Sequence, residues 1–162
     1  AFIKAADIAK SADTKVALSL SDSFCVNRHR ESFIKLIKDH IDILFANEDE
    51  ITTLYKTSSL NTALEELKKK CDLAAITIGE KGSILISNGK EINIDPFILG
   101  KAIDTTGAGD LYAGGFLKGL ADGLKPELSA KIGSICAGQI VTQLGSRSNT
   151  DLLNLVSSHL KP

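Results

Sequence analysis

The sequence lacks the features of several protein classes. Its 162 residues contain no Met and no Trp, and only three Cys and three Pro. The cysteines are far apart and form no Cys-x-x-Cys pair, so neither a disulfide framework nor a zinc site is expected. Free thiols are typical of a reducing compartment, which favours a cytoplasmic protein. No apolar run approaches the roughly 20 residues of a membrane span, so no membrane partner is expected.

The charge balance argues against a nucleic-acid partner. The formal net charge is -1, from 19 basic and 20 acidic side chains, so no overall field would attract a polyanion. The only basic cluster, residues 68–70, ends an amphipathic helical pattern, where Lys suits the helix C-terminus. A hydrophobic content of 43% is typical of a globular domain with one core. Because the chain has no Met and opens within a helical pattern, we expect a fragment of a longer protein.

Apolar periodicity predicts strands that alternate with helices. Strands are predicted at 16–20, 41–46, 73–78, 83–86 and 91–94, with a further short strand ending at Asp104. Helices are predicted near 1–10, from about 28, after Asn47, and near 61–70, 107–120, 127–144 and 151–160. The pair Asn88-Gly89 predicts a two-residue hairpin turn. This order predicts an α/β fold, in which a parallel sheet is flanked by helices and carries an antiparallel edge hairpin.

The most informative segment is Asp104-Thr-Thr-Gly-Ala-Gly-Asp110, placed before a helix. Its glycines allow a sharp turn and a close approach to a ligand, and the N–H groups of 107–109 would face an anion at the helix N-terminus. Asp110 in the first turn could accept a proton from an attacking hydroxyl. The alternative is a purely structural role, in which the segment is a Gly-rich turn whose Asp complements the helix dipole. The segment is not a Walker A loop, and Tyr112 replaces the third glycine of a dinucleotide fingerprint.

Three segments in a fixed order resemble the PfkB/ribokinase family of carbohydrate kinases. Asn47-Glu-Asp-Glu50 resembles its N-x-x-E motif, Thr77-Ile-Gly-Glu-Lys-Gly82 its T-x-G-x-x-G motif, and Asp104 to Asp110 its second signature. Residues 18–30 and 104–117 are most similar to the bacterial adenosine kinase branch. The resemblance implies a ribokinase-like (Rossmann-like) fold. It also implies that residues 1–162 are the C-terminal, nucleotide-binding and catalytic part of one domain, without its N-terminal half and lid.

The same resemblance implies a role for each matching residue. Asp110 would be the catalytic base, with Gly107, Ala108 and Gly109 as an anion hole. ATP and Mg²⁺ would be organised by Asn47, Glu50, Thr77, Ile78, Gly79, Glu80, Lys81, Gly82 and Gly109. A monovalent cation, usually potassium, would lie at Asp104 and Thr106, with Gly145 and Ser146 from a late loop. The motifs also have simpler interpretations: Asn47 and Glu50 as a helix cap with its capping-box partner, and 77–82 as a β-turn.

The implied activity is ATP-dependent phosphoryl transfer to a hydroxyl of a nucleoside, adenosine first, or of a sugar. A ribose- or fructose-type kinase is the alternative within the class. A nucleotide-binding regulatory module without transfer activity, and a structural fragment that binds nothing, are the alternatives outside it. Without the missing half, this chain alone is expected to be inactive and to self-associate through exposed apolar surface. The resemblance also leaves open a homodimer of the full-length protein.

Overall fold

The structure is a computed structural model, and it describes residues 1–160. The helices are α1 Phe2–Ser11, α2 Ser23–Arg28, α3 Arg30–His40, α4 Glu48–Tyr55, α5 Leu60–Lys68, α6 Ala108–Ala121, α7 Pro126–Ile140 and α8 Leu152–His159. The strands are β1 Ala17–Ser19, β2 Ile43–Asn47, β3 Leu73–Thr77, β4 Ser83–Ser87 and β5 Lys90–Ile94. None of the helices between residues 1 and 160 is long and apolar enough to cross a membrane.

The five strands form one sheet in the order β1-β2-β3-β4-β5. β1 and β3 both pair with β2 in parallel, so that Phe45 lies opposite Ser19 on one side and Ala75 on the other. β4 and β5 are joined by Asn88 and Gly89, whose φ angles of 50° and 75° are positive, as a type I′ hairpin turn requires. The predicted α/β fold with an edge hairpin is therefore confirmed.

The chain divides into two compact units. The first comprises residues 1–77 with 86–91, and the second comprises residues 78–85 with the chain from Ile92 onward. In the first unit, buried side chains of β2, α4 and α5 form the core, among them Leu44, Ile51, Leu54, Leu64 and Leu67. In the second unit the buried large side chains include Leu85, Phe116 and Ile140.

Helices α6 and α7 pack closely in the second unit because small residues face each other. A Cβ placed on Gly133 would lie 2.7 Å from the Tyr112 carbonyl oxygen, and one on Gly119 would lie 2.7 Å from the Ser129 hydroxyl. Real Cβ atoms do not approach other atoms so closely, so these glycines set the distance between the helices. The packing fixes α6, the helix that follows the Asp104–Asp110 segment.

The predicted strand ending at Asp104 is wrong. Residues 101–105 have no regular secondary structure. The N–H groups of Ile103 and Asp104 instead donate to the Val141 carbonyl, at 2.7 and 3.3 Å. That carbonyl belongs to the residue that caps the C-terminus of α7, where helix carbonyls lack intrahelical partners. The segment thus meets its hydrogen-bonding needs at a helix end, and α7 stops at Ile140 rather than near 144.

One short helix was not predicted. Asp22 accepts a hydrogen bond from the Cys25 N–H at 2.7 Å and so caps α2, which has only six residues. A helix this short leaves no apolar period to detect in the sequence. The cap itself, an Asp followed by a Ser, is the one signal from which it could have been found.

Candidate active site

Gly107 starts α6 in a conformation that few other residues adopt. Its φ is 81°, and its carbonyl accepts the Leu111 N–H at 2.9 Å, the first bond of the helix. A Cβ on Gly107 would lie 2.7 Å from Cβ of Ser146. Glycine is therefore required at this position for two reasons, the positive φ and the close contact with Ser146.

The N-terminus of α6 has free amide groups, but not the full predicted set. The Ala108 N–H donates to the Thr105 carbonyl at 3.1 Å, so this amide is engaged within the loop, and its predicted contact with an anion stays a prediction. No acceptor within residues 1–160 binds the Gly109 N–H. A Cβ on Gly109 would meet nothing within 4 Å, so open space lies beside it. A free amide at a helix N-terminus suits an anion.

Asp110 lies in the first turn of α6, directly after this open position. Its side chain is exposed, and no side chain described in the structure forms an ion pair with it. The carboxylate is thus accessible to a ligand. An unpaired carboxylate in this position can accept a proton, as the sequence predicts.

Asp104 links the start of the segment to the late loop. One oxygen, Oδ1, accepts the Thr106 hydroxyl at 2.7 Å and the Thr106 N–H at 2.9 Å. The other, Oδ2, accepts the Gly145 N–H at 2.9 Å. The Thr106 hydroxyl, followed by the two N–H groups, lowers the pKa of Asp104 from 3.8 to about 2. Most of the carboxylate's acceptor capacity is therefore used within the protein, and the cation site stays a prediction.

A buried glutamine that the sequence did not single out orders the late loop. Gln139 is 4% exposed, and its Nε2 donates to Oε1 of Gln143 at 3.0 Å and to the Thr150 hydroxyl at 3.2 Å. Its Oε1 accepts the Ser148 hydroxyl at 2.8 Å. A polar residue within an apolar stripe gives no functional signal by its position, which is why this network was missed. Through it α7 holds the loop that contains Gly145 and Ser146.

In the first unit, Asn47 and Glu50 form a reciprocal capping box at the start of α4. The Asn47 side chain accepts the Glu50 N–H at 2.8 Å, while the Glu50 carboxylate accepts the Asn47 N–H at 2.9 Å. Nδ2 of Asn47 also donates to Glu50, at 2.8 Å. Asn47 and Glu50 therefore do form a helix cap with its capping-box partner, because both residues satisfy backbone groups at the helix start.

Glu50 is nevertheless an unusual capping residue, since it is only 6% exposed. Burial raises the pKa of its carboxyl group, partly opposed by the hydrogen bond from the Asn47 backbone and reinforced by the charges of Asp22 and Asp49. A buried carboxylate with acidic neighbours gains from a nearby cation. Asn47 also lies opposite Thr77 in the register of β2 and β3. Two of the predicted motifs thus start side by side at the carboxyl ends of neighbouring parallel strands.

Residues 78–82 close a tight turn. The Ile78 N–H donates to the Gly82 carbonyl at 2.9 Å, and the Lys81 N–H to the Ile78 carbonyl at 3.3 Å. A Cβ on Gly82, whose φ is 91°, would lie 2.2 Å from the Ile94 carbonyl oxygen, whereas one on Gly79 would meet nothing within 4 Å. Gly82 is therefore needed for packing against the end of β5. Gly79, with exposed Glu80 and Lys81, faces open space in which a ligand could lie.

The donor set fits Mg²⁺ only in part. Within residues 1–160, no three His, Cys, Asp or Glu side chains are grouped as ligands of a metal ion. Mg²⁺ in phosphate-binding sites usually keeps several waters and binds one or two carboxylates. Glu50 fits contact through water, because both of its oxygens already accept hydrogen bonds from Asn47.

Comparisons with known proteins identify the family of the chain. The family model "pfkB family carbohydrate kinase" matches residues 1–152. A nucleoside kinase of Methanocaldococcus jannaschii is 31% identical over 82% of this chain and 43% of its own length. A ribokinase of Lactococcus lactis is 31% identical over 82% of this chain and 42% of its own length. The crystal structure of adenosine kinase from Sinorhizobium meliloti superposes with a TM-score of 0.93 at 39% identity, over 97% of this chain and 48% of that one.

Proposed function

Because the chain belongs to the pfkB family of carbohydrate kinases, we propose that the full-length protein transfers the terminal phosphoryl group of ATP to a hydroxyl of a nucleoside or sugar. The chain spans less than half the length of the relatives named above, 42% and 43%. We therefore propose that residues 1–162 are the C-terminal, nucleotide-binding and catalytic part of one domain. The acceptor would be bound mainly by the remaining part.

The observation that carries this proposal is the open N-terminus of α6. The Gly109 N–H has no acceptor within residues 1–160, a Cβ on Gly109 would meet nothing within 4 Å, and Asp110 follows it with an exposed carboxylate. In phosphoryl transfer, negative charge on the transferred group is stabilised by amides of this kind, while a carboxylate accepts the proton of the attacking hydroxyl. Asp110 is the proposed base, and the amides of Gly107 and Gly109 are the proposed anion contacts.

The family resemblance assigns nucleotide-binding roles to Asn47, Glu50 and Thr77 in the first unit and, separately, to the 78–82 turn. Asn47, Glu50 and Thr77 lie at the ends of two adjacent strands, which is where α/β sheets bind ligands. Mg²⁺, when bound, would offset the charge of the phosphates. Glu50 would orient it through water, and the space beside Gly79 would receive part of the nucleotide. Potassium at Asp104, Thr106, Gly145 and Ser146 remains a prediction of the family resemblance.

Adenosine is the first acceptor to test. One of the solved structures that superpose with a TM-score of 0.93 is an adenosine kinase, and another relative is a nucleoside kinase. The ribokinase relative keeps ribose as the alternative. Purified full-length protein should be assayed with ATP, Mg²⁺ and K⁺ against adenosine, other nucleosides, ribose and fructose.

The variant that tests the mechanism is Asp110→Asn. Loss of a general base lowers kcat by about 10²- to 10⁴-fold, whereas the affinity for ATP, measured by calorimetry, should change little. Glu127→Gln is the matched control, because Glu127 lies in the first turn of α7 and complements a helix dipole in the same way. It should leave kcat unchanged.

Two outcomes would contradict the proposal. Wild-type protein that binds ATP but phosphorylates no acceptor would favour a regulatory nucleotide-binding module. An Asp110→Asn variant as active as the Glu127→Gln variant would remove Asp110 from the chemistry. Residues 1–162 alone should have little activity even if the full-length protein is a kinase, because lid closure excludes water from such sites.

A further inference from the structure

A buried hydroxyl pair in the second unit joins two segments of the proposed site. The Tyr112 hydroxyl and the Ser83 hydroxyl are 2.7 Å apart, and the two residues are 3% and 1% exposed. Ser83 directly follows the 78–82 turn, and Tyr112 lies two positions after Asp110 on α6. The hydrogen bond therefore connects Ser83, directly after the proposed nucleotide turn, to α6, the helix that carries the proposed base Asp110.

Both ends of this bond are firmly held. On one side, Gly82 is packed so closely against the end of β5 that a Cβ there would lie 2.2 Å from the Ile94 carbonyl oxygen. On the other side, Gly133 lies against the Tyr112 ring, since its Cβ would be 3.2 Å from Cγ of that ring. Phe116 stacks on the same ring with centroids 6.4 Å apart. A hydrogen bond between two immobilised groups fixes the distance between the segments that carry them.

The chemistry of the pair suits a permanent connection. Burial raises the pKa of Tyr112 to about 12, so its hydroxyl keeps its proton at every pH at which the protein would work. Each hydroxyl can donate or accept, and in this buried position neither has water as an alternative partner. Loss of either group would leave the other buried without its partner.

From this geometry we infer that Tyr112 is a positioning residue, whose hydroxyl bond to Ser83 holds the 78–82 turn at a fixed distance from Asp110. The inference rests on the proposed function, and it assigns a task to a buried residue outside the three motifs. If the bond is lost, ATP can still bind, but the phosphoryl group and the base are no longer aligned. Misplacement by about 1 Å can lower a rate by about 10²-fold.

The test compares Tyr112→Phe, Ser83→Ala and the double variant in full-length protein. We expect kcat to fall about tenfold or more in each single variant, with KM for ATP and for the acceptor within about threefold of wild type. The double variant should be no slower than the slower single variant, because both substitutions remove the same bond. Additive losses would mean that the two hydroxyls act separately, which would overturn the inference.

The matched control is Ser134→Ala. The Ser134 hydroxyl is also buried in the second unit, where it donates to the Asp95 carbonyl at 2.9 Å and accepts the Phe97 N–H at 3.1 Å. It should lower Tm to a similar extent as Tyr112→Phe but leave kcat unchanged. If Tyr112→Phe lowers Tm and keeps the wild-type kcat, its hydroxyl is merely structural and the inference is wrong.

A second measurement tests this inference independently of the proposed function. If the proposed function is wrong, the wild-type protein will show no turnover. Hydrogen exchange of amides 78–82 and 108–111 reports on alignment without any reaction. Tyr112→Phe should speed exchange in both segments, and Ser134→Ala in neither. Unchanged exchange in the 78–82 turn would overturn the inference even for an inactive protein.

Discussion

The Asp104 carboxylate accepts the Gly145 N–H at 2.9 Å, across 41 positions of the sequence. The bond ties the segment before α6 to the loop after α7. Ser146, the next residue in that loop, lies against Gly107. The conformation of the proposed anion site therefore depends on a contact between two loops, and Asp104 is the residue that makes it.

Asp104→Asn should weaken this connection in a pH-dependent way. Three donors hold the pKa of Asp104 at about 2, below its ordinary value of 3.8, so the folded protein favours the ionised form. The stabilisation is present at neutral pH and is lost as pH falls through about 4 towards 2. Urea unfolding should show wild type more stable than the variant at pH 7, with the difference shrinking in that acid range.

Asp122→Asn is the control for the loss of a surface carboxylate. Asp122 is exposed and pairs with Lys118 one helical turn away, and such exposed pairs contribute little to stability. Its unfolding curve should stay close to that of wild type at each pH. A stability difference for Asp104→Asn that is the same at pH 7 and pH 2 would contradict the assigned role of the carboxylate.

Alanine at Gly107 and at Gly109 should have opposite effects on stability. Gly107→Ala forces a Cβ into a residue with φ of 81° and to 2.7 Å from Ser146, which should cost about 1–3 kcal/mol of unfolding free energy. Gly109→Ala has free space around its Cβ and should be neutral or stabilising by up to about 1 kcal/mol. Chemical denaturation measures both.

The Gly109→Ala variant should also differ from wild type in activity. The space beside Gly109 is where the proposed anion would lie, so Gly109→Ala should lower kcat/KM for ATP strongly although the fold is intact. A stable Gly109→Ala variant with wild-type kcat/KM would show that this space is not used by the substrate.

Features set by local chemistry were predictable from the sequence. The hairpin follows from Asn88-Gly89 and the start of α4 from Asn47, because each depends on residues within a few positions. The wrong strand at Asp104 and the missed Gln139 network have one cause, since their partners lie on α7 and in the loop after it.

Two N-cap substitutions can separate the structural and functional roles of the N-x-x-E motif. Asn47→Ala removes the cap of α4, and Ser59→Ala removes the cap of α5, whose side chain accepts the Thr62 N–H. Each should cost about 1 kcal/mol of unfolding free energy. Only Asn47→Ala should also raise the Mg²⁺ concentration needed for half-maximal activity, because it removes the bond from Nδ2 to Oε1 of Glu50 and leaves that carboxylate held by the backbone N–H alone. Equal Mg²⁺ dependence in both variants would leave Asn47 with a capping role alone.

Gly133→Ala tests whether the packing of α7 against α6 supports the site. The new Cβ would lie 2.7 Å from the Tyr112 carbonyl oxygen and 3.2 Å from Cγ of its ring, so the backbones of α6 and α7 must move apart. Overpacking of this kind costs about 1–3 kcal/mol. Gly114→Ala is the control, because a Cβ at this exposed position of α6 meets nothing within 4 Å, and it should gain up to about 1 kcal/mol.

The activity of Gly133→Ala then shows whether the position of α6 matters for the reaction or only for folding. At a temperature where the variant is fully folded, a displaced Tyr112 should stretch its bond to Ser83 and lower kcat, while KM for ATP stays near the wild-type value. Gly114→Ala changes the same helix without moving Tyr112, so its kcat should match wild type. If Gly133→Ala is destabilised yet equally active, α6 can shift against α7 without disturbing Asp110, and the close packing of the two helices serves stability alone.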